Sequence, residues 1–307
     1  MAEVVQVADF ASLRQRAQEL GACRVAVVVA DDDVALTAAE HAWQLGIAEP
    51  LLVGNETKIR MKALELNLAT LLDATEVIDA GEHAAGIAVQ MARDGQVDVL
   101  LKGHLRTDEL LHAVLDKTTG LRTDRLLSDV LLYEDTLAGE KRLVGVTDGG
   151  LNVAPTVEQK RQIVMNAIEV MQCIGIARPK IAIMSATEAV SDSVPSTLDA
   201  KRLTEMAATG EFGSADVFGP IALDGALLES AARAKGITSL VAGRADCMVV
   251  PNIEAGNLLG KAVKYLGGSQ CAHVVVGAKV PILIPSRVES VDDKVNSIAL
   301  GVLFAQR

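Results

Sequence analysis

At 307 residues the chain has room for one large domain or two of ordinary size. A net charge of −11 argues against general binding of DNA or RNA, because phosphate neutralisation needs a basic surface. Any anionic ligand must be held by a local group of Arg and Lys against the global field.

The predicted elements alternate. Residues 24–30, "RVAVVVA", read as a buried strand, and "DDDVALTAAEHAWQLG" as a capped helix ending at Gly46. Strand 50–54, a helix near 56–66, the short strand "EVIDA", helix "EHAAGIAVQMARDG" and strand 97–103 follow. "TDELLHAVLDKTTG" is predicted as a helix with Thr107 as N-cap, acids in its first turn and Gly120 past its end. "RLLSDVLLY" and "KRLVGVTDGG" read as strands. This βαβα rhythm implies an α/β fold with a parallel-rich sheet and right-handed crossovers.

"TDGGLNVAPT" (147–156) is a turn-rich break, followed by the long amphipathic helix "VEQKRQIVMNAIEVMQCIG". Alternation then restarts with "KIAIMS", a polar loop over 185–199 and a helix near 198–209. "ADVFG", a helix near 224–235, "ADCMVVPN", a helix over 254–266, "AHVVVG" and "PILIPS" complete it. Two α/β/α domains are expected, 1–149 plus 290–307 and 150–289. The final helix returns to the first domain, with a ligand cleft where the two meet.

Cys23, Cys173, Cys247 and Cys271 lie far apart in sequence, with no C-x-x-C pair, which fits free thiols in a reducing compartment. The N-terminal stretch lacks the basic-then-apolar pattern of a secretory signal, and no apolar run reaches membrane-spanning length. The expectation is a cytoplasmic protein without a membrane span or a metal site. No glycine-rich nucleotide loop and no G-x-S-x-G elbow occur.

Four stretches carry candidate chemistry. In "LLKGHLRTDELL" (100–111) a strand ends at Lys102 and a helix starts near Thr107. Lys102 and Arg106 would add charge to the anion-favouring helix start, or simply flank a turn. In "GLRTDRLLSDV" (120–130) Arg122 and Arg125 lie beside Thr123 and Ser128. They could clamp a phosphate, or pair with Asp124 and Asp129 on a surface turn. In "VVPNIEAGNLLGKAVKYLGG" (249–268) Asn252 and Asn257 could bond a ligand amide or carbonyl. Asn252 equally suits a helix cap. In "IPSRVESVDDKVNSIALGV" (284–302), Ser290 and Asp293 form an S-x-x-D capping box, and Asp292 and Asp293 suit a helix N-terminus. That leaves Ser286 and Arg287 unexplained.

Taken together and in this order, these segments and "VTDGGLNVAPT" resemble the phosphate acetyltransferase/phosphate butyryltransferase (phosphotransacylase) family. The resemblance spans nearly the whole chain and is strongest from residue 100 onward. It implies an isocitrate/isopropylmalate dehydrogenase-like two-domain fold, a homodimer, and the reaction acyl-CoA + phosphate ⇌ acyl phosphate + CoA. Transfer would be direct, with coenzyme A as substrate and no cofactor. It further implies that Ser286 and Arg287 contact the acyl phosphate, that Asp293 is the base, and that Arg125 contacts phosphate. Acetyl-specific members often carry Gly after the Ser-Arg pair, where Val288 stands here, and "GAKVPILIPSR" is similar to the butyryl branch.

Elementary chemistry agrees with these roles. A thiol of pKa roughly 8.5 is mostly protonated at neutral pH, so a carboxylate can take its proton as sulfur attacks. Arginines bind where charge sits or develops. A dehydrogenase of the same fold class would need a metal held by several aspartates and a nicotinamide site. A non-catalytic acyl-CoA or phosphate-binding module would keep Arg125, Asn252 and Arg287 without needing Asp293.

Overall fold

The computed structural model describes residues 6–137, 139–286 and 288–307. After helix α1 (Phe10–Leu20), apolar runs and amphipathic segments alternate. They give β1 (Cys23–Val28), α2 (Asp33–Gln44), β2 (Ala48–Gly54), α3 (Glu56–Glu65), α4 (Ala69–Ala74) and β3 (Glu76–Asp79). Next come α5 (Ala84–Arg93), β4 (Val99–Lys102) and α6 (Thr107–Val114). Strands β1 and β4 are continuous apolar runs because both their faces are covered. Val25 to Val28 and Val99 to Leu101 are all buried. Burying each Val or Leu among them contributes about 1.5–3 kcal/mol.

The chain continues through β5 (Ser128–Asp135), β6 (Arg142–Thr147), α7 (Val157–Cys173), β7 (Lys180–Met184), α8 (Pro195–Ala208) and β8 (Asp216–Ile221). Then follow α9 (Leu223–Leu227), α10 (Glu229–Ala234), β9 (Cys247–Val249) and α11 (Ile253–Lys261). These strands lie in the order β5-β6-β9-β7-β8. β5 and β6 are antiparallel, and the remaining neighbours are parallel. Helix α7 starts with a full capping box, in which the Thr156 side chain and Gln159 satisfy each other's backbone N–H.

The last elements are β10 (Cys271–Val276), β11 (Ile282–Leu283) and α12 (Val291–Ala305). With the earlier strands they give the order β3-β2-β1-β4-β11-β10, all parallel except the β10–β11 pair. Helix α12 is buried from Asp293 to Phe304 and packs against α2, β4 and β11. A helix buried all round needs little polar surface, which explains the apolar run "SIALGVLF".

Two compact units result, one of Ala11–Arg125 with Ala272–Arg307, the other of Leu126–Cys271 with the residues up to Phe10. The division expected near 150 and 290 falls at 125/126 and 271/272. The reason is strand pairing: β6 joins β9 through the register Gly145↔Cys247 to Thr147↔Val249, which draws β5 and β6 into the second unit. Likewise β11 joins β4, which draws residues 282–283 into the first.

Other expectations need correction. Helix α6 stops at Val114, not near Gly120, because Asp116 Oδ1 takes the N–H groups of Thr118 and Thr119 and forms a turn. Thr107 is the first helical residue, and Arg106 occupies the cap position without a side-chain cap bond. The predicted helix at 224–235 breaks at Leu228, which is extended. The one predicted at 254–266 widens into a π-helical turn over Ala262–Leu266. Helices α1 and α4 had no clear sequence signal.

Candidate active site

Strands β1, β4 and β11 run parallel, so their C-terminal ends share one edge of the first unit's sheet. The strand order turns from one side to the other between β1 and β4, and open parallel sheets bind ligands outside such ends. The chain is tightly drawn there. Gly103 N–H donates to Val28 O at 2.9 Å and His104 N–H to Val29 O at 2.8 Å. A Cβ on Gly103 would lie 2.3 Å from Val29 O, so no side chain fits.

Several residues singled out by sequence lie at or near this edge. Lys102 is buried, with Nζ donating to Gly103 O and Leu105 O, both at 3.4 Å. Arg106 is exposed and forked onto Asp108 at 2.9 and 2.8 Å. The turn before Arg125 is tied instead to the end of β10, which runs antiparallel to β11 and so ends at the opposite edge of the sheet. Thr123 Oγ1 donates to Gly277 O at 2.6 Å and accepts the Arg125 N–H at 3.0 Å, while Lys279 N–H donates to Leu121 O at 3.0 Å.

Three residues past β11, Ser286 is half-buried, and its carbonyl accepts the Glu289 N–H at 3.2 Å. Arg287 lies outside the described residues. Ser290 is the N-cap of α12, and the expected capping box is complete. Asp293 N–H donates to Ser290 Oγ at 3.2 Å. Asp293 Oδ2 accepts from Ser290 N–H at 3.0 Å and from Ser290 Oγ at 2.6 Å. Asp293 is 0% exposed, whereas Asp292 is exposed and paired with Arg14 at 3.0 Å. Arg14 Nε also donates to Asn296 Oδ1 at 2.7 Å, so α1 pins the outer side of this helix start.

Neighbouring residues that sequence reasoning missed brace the same helix. His273 N–H donates to Ser297 Oγ at 2.9 Å, and Ser297 Oγ donates to Asp293 O at 2.9 Å. The His273 ring lies 3.4 Å from Glu289 Oε1. Glu289 is buried, and among the described residues its Oε2 has no hydrogen-bond partner. Lys294, also buried, donates to Asp32 Oδ1 at 3.2 Å. Burial pushes the Asp32 carboxyl up, but the Ala35 N–H and the Lys294 ammonium outweigh it and hold the group below its ordinary value. The pairings of His273 with Ser297 and Glu289, and of Lys294 with Asp32, could not be read from one segment, because each joins residues distant in sequence.

In the second unit, Ser128 is wholly buried and its Oγ accepts from Asn166 Nδ2 at 2.8 Å, which ties β5 to α7. Asn252 caps α11, with Oδ1 accepting the Ala255 N–H at 3.0 Å. Asn257 is exposed and donates to Gly149 O at 3.4 Å. The "DGG" turn it touches is closed from within. Asp148 accepts from the N–H groups of Gly150, Leu151 and Asn152, so the turn offers these donors to its own carboxylate and not to an anion. Burial, joined by the nearby Asp129 charge, raises the Asp148 carboxyl above its ordinary range despite these bonds. A Cβ on Gly149 would meet the Gly256 carbonyl carbon at 2.7 Å, so α11 packs backbone to backbone on the turn.

Chemically, the first unit offers a carboxylate held rigidly at a helix start, a serine on the preceding loop, and basic residues at or near the strand ends. The two acids that open α12 disfavour an anion at that helix end, so a phosphate there must be drawn by cations. Among the described residues, no three His, Cys, Asp or Glu side chains gather as metal ligands.

A family model described as "Phosphate acetyl/butaryl transferase" matches residues 72–302. The chain belongs to the phosphate acetyl/butyryl transferase family. It is 41% identical over 278 residues to a phosphate acetyltransferase of Rhizobium meliloti, covering 90% of this chain and 87% of that protein. It is 37% identical over 301 residues to a phosphate butyryltransferase of Clostridium beijerinckii, covering 97% and 98%. The crystal structure of a branched-chain phosphotransacylase from Enterococcus faecalis V583 superposes with a TM-score of 0.81 at 28% identity, covering 92% of this chain and 99% of that one. The family match takes in every candidate site residue from Lys102 to Asp293.

Proposed function

We propose that the chain catalyses acyl-CoA + phosphate ⇌ acyl phosphate + CoA by direct transfer, with Asp293 as the general base. The observation that carries this reading is near full-length similarity to proteins named for this activity with two acyl groups, acetyl and butyryl. Arg287 and Arg125 bind phosphate and the charge that develops during transfer. Lys102 and Arg106 add positive charge near the strand ends. Ser286 donates to the carbonyl oxygen or the leaving group. Asn252 and Asn257 serve the CoA side through groups not committed to the cap and to Gly149. The capping box supports the role of Asp293, because a carboxylate held by hydrogen bonds from Ser290 is already oriented for proton transfer.

The same reading carries the isocitrate/isopropylmalate dehydrogenase-like arrangement of two α/β domains, a homodimer and a cytoplasmic location. Coenzyme A enters as substrate, and this chemistry needs no separate cofactor. The test is a panel of acyl-CoAs with and without phosphate or arsenate, read by release of free thiol. Release only with phosphate or arsenate is expected. Equal release in phosphate-free buffer would mean thioester hydrolysis and overturn the reading.

A further inference from the structure

A general base has to meet the proton it removes, yet Asp293 is 0% exposed. Among the described residues, Ser290 both bonds its carboxylate and is exposed. Its Oγ–H points at Asp293 Oδ2 across 2.6 Å, in a part-buried contact. A serine hydroxyl has one proton to give and two lone pairs to accept with. Here the proton goes to Asp293, and one lone pair takes the Asp293 N–H at 3.2 Å. The second lone pair can receive an S–H.

We propose that Ser290 is a catalytic residue, relaying the thiol proton of CoA to Asp293 in the thioester-forming direction. This rests on the reading of the chain as a phosphate acyltransferase with Asp293 as base. As the sulfur attacks the acyl carbon, the S–H proton passes to Ser290 Oγ and the Ser290 hydroxyl proton passes to Asp293 Oδ2. The C–S bond forms, the bond from the acyl carbon to the phosphate oxygen breaks, and phosphate leaves with that bond's electron pair. Ser290 ends as it began, and Asp293 holds one proton. The reverse passage returns that proton to the leaving sulfur when acyl-CoA is consumed.

Capping and relaying ask for different side chains, and this makes the proposal testable. Asn caps a helix as well as Ser does but carries no hydroxyl, whereas Thr caps less strongly and keeps one. Turnover of acyl phosphate with CoA is measured for Ser290→Thr, Ser290→Asn, Asp293→Asn and the Ser290→Asn/Asp293→Asn pair, with melting temperatures beside them. Thr is expected within about threefold of the parent. Asn is expected to fall by about 10²-fold at unchanged melting temperature and unchanged KM for CoA, the low end of proton-transfer catalysis. The double variant is expected to be no slower than Asp293→Asn alone, because both substitutions cut one path. If Ser290→Asn keeps turnover within about threefold while Asp293→Asn loses it, the relay is overturned and the base stands. If both keep turnover, both roles fall. A parent chain with no phosphate-dependent activity overturns the enzymatic reading and the relay with it.

Discussion

Replacing Asp293 with Asn separates the capping and catalytic uses of one carboxylate. Hydrogen bonds from Ser290 N–H at 3.0 Å and from Ser290 Oγ at 2.6 Å reach it. An amide oxygen can accept both, but as neutral bonds. Charge-assisted bonds contribute about 1.5–3 kcal/mol and neutral ones about 0.5–1.5, so the loss is about 1 kcal/mol per bond. A favourable interaction with the helix dipole, about 0.3–1 kcal/mol, also goes. Against this, the amide does not carry the desolvation cost of a wholly buried charge. The net cost is about 2 kcal/mol or less, a melting-temperature drop of no more than about 8 °C. A protein stable by about 5–15 kcal/mol remains folded under assay conditions. Turnover is expected to fall about 10²- to 10⁴-fold, because Asn cannot accept the proton. The direction of assay matters: acyl phosphate plus CoA is the direction in which a thiol must lose its proton. A thiol of pKa about 8.5 is roughly 3% ionised at pH 7 and half ionised at pH 8.5, so raising the pH should restore about 15-fold of the loss. Asp292→Asn, on the exposed side of the same turn, should lose far less. Turnover of Asp293→Asn within about threefold of the parent at neutral pH would refute the base assignment and leave a helix cap.

Asp32→Asn keeps the cap of α2 but removes the carboxylate facing the buried Lys294 ammonium. A loss of about 3 kcal/mol is expected by denaturant titration, in the range for breaking a buried pair. Because the folded Asp32 carboxyl is held below its ordinary value, its contribution is present above the unfolded carboxylate pKa and lost as pH falls through the folded one. The parent and variant stability curves should therefore converge in acid. Asp148 has the opposite sign. Its raised folded value makes the ionised form a cost that grows as pH rises from the unfolded to the folded pKa. Asp148→Asn should thus gain stability relative to the parent across the rising carboxylate range, and a pH-independent difference would contradict the assignment. Gly149→Ala forces a Cβ to within 2.7 Å of the Gly256 backbone, where neither side is a flexible side chain. Loss of cooperative unfolding, or a fall of several degrees in melting temperature, is expected.

Features that depend on neighbours in sequence were legible in the chain itself. The apolar runs of β1 and β4, the S-x-x-D box of Ser290 and Asp293, and the capping use of Asn252 follow from side-chain type at short spacing. The ordered set of weak segments from Lys102 to Asp293 pointed to the family, since each segment keeps its local composition wherever the fold places it. What tertiary structure alone decided depends on distant partners. Strand pairing, not the polar turn at 147–156, set the division at 125/126, because β6 joins β9 about a hundred residues away. Burial turned Ser128 inward onto Asn166 and enclosed Asp293, whose carboxylate accepts from Ser290. It also brought His273 to Glu289 and Lys294 to Asp32. A side chain's type states what it can bond. Only packing against residues far along the chain decides which partner it meets and whether water reaches it, and those two conditions set the protonation and reach of a catalytic carboxylate.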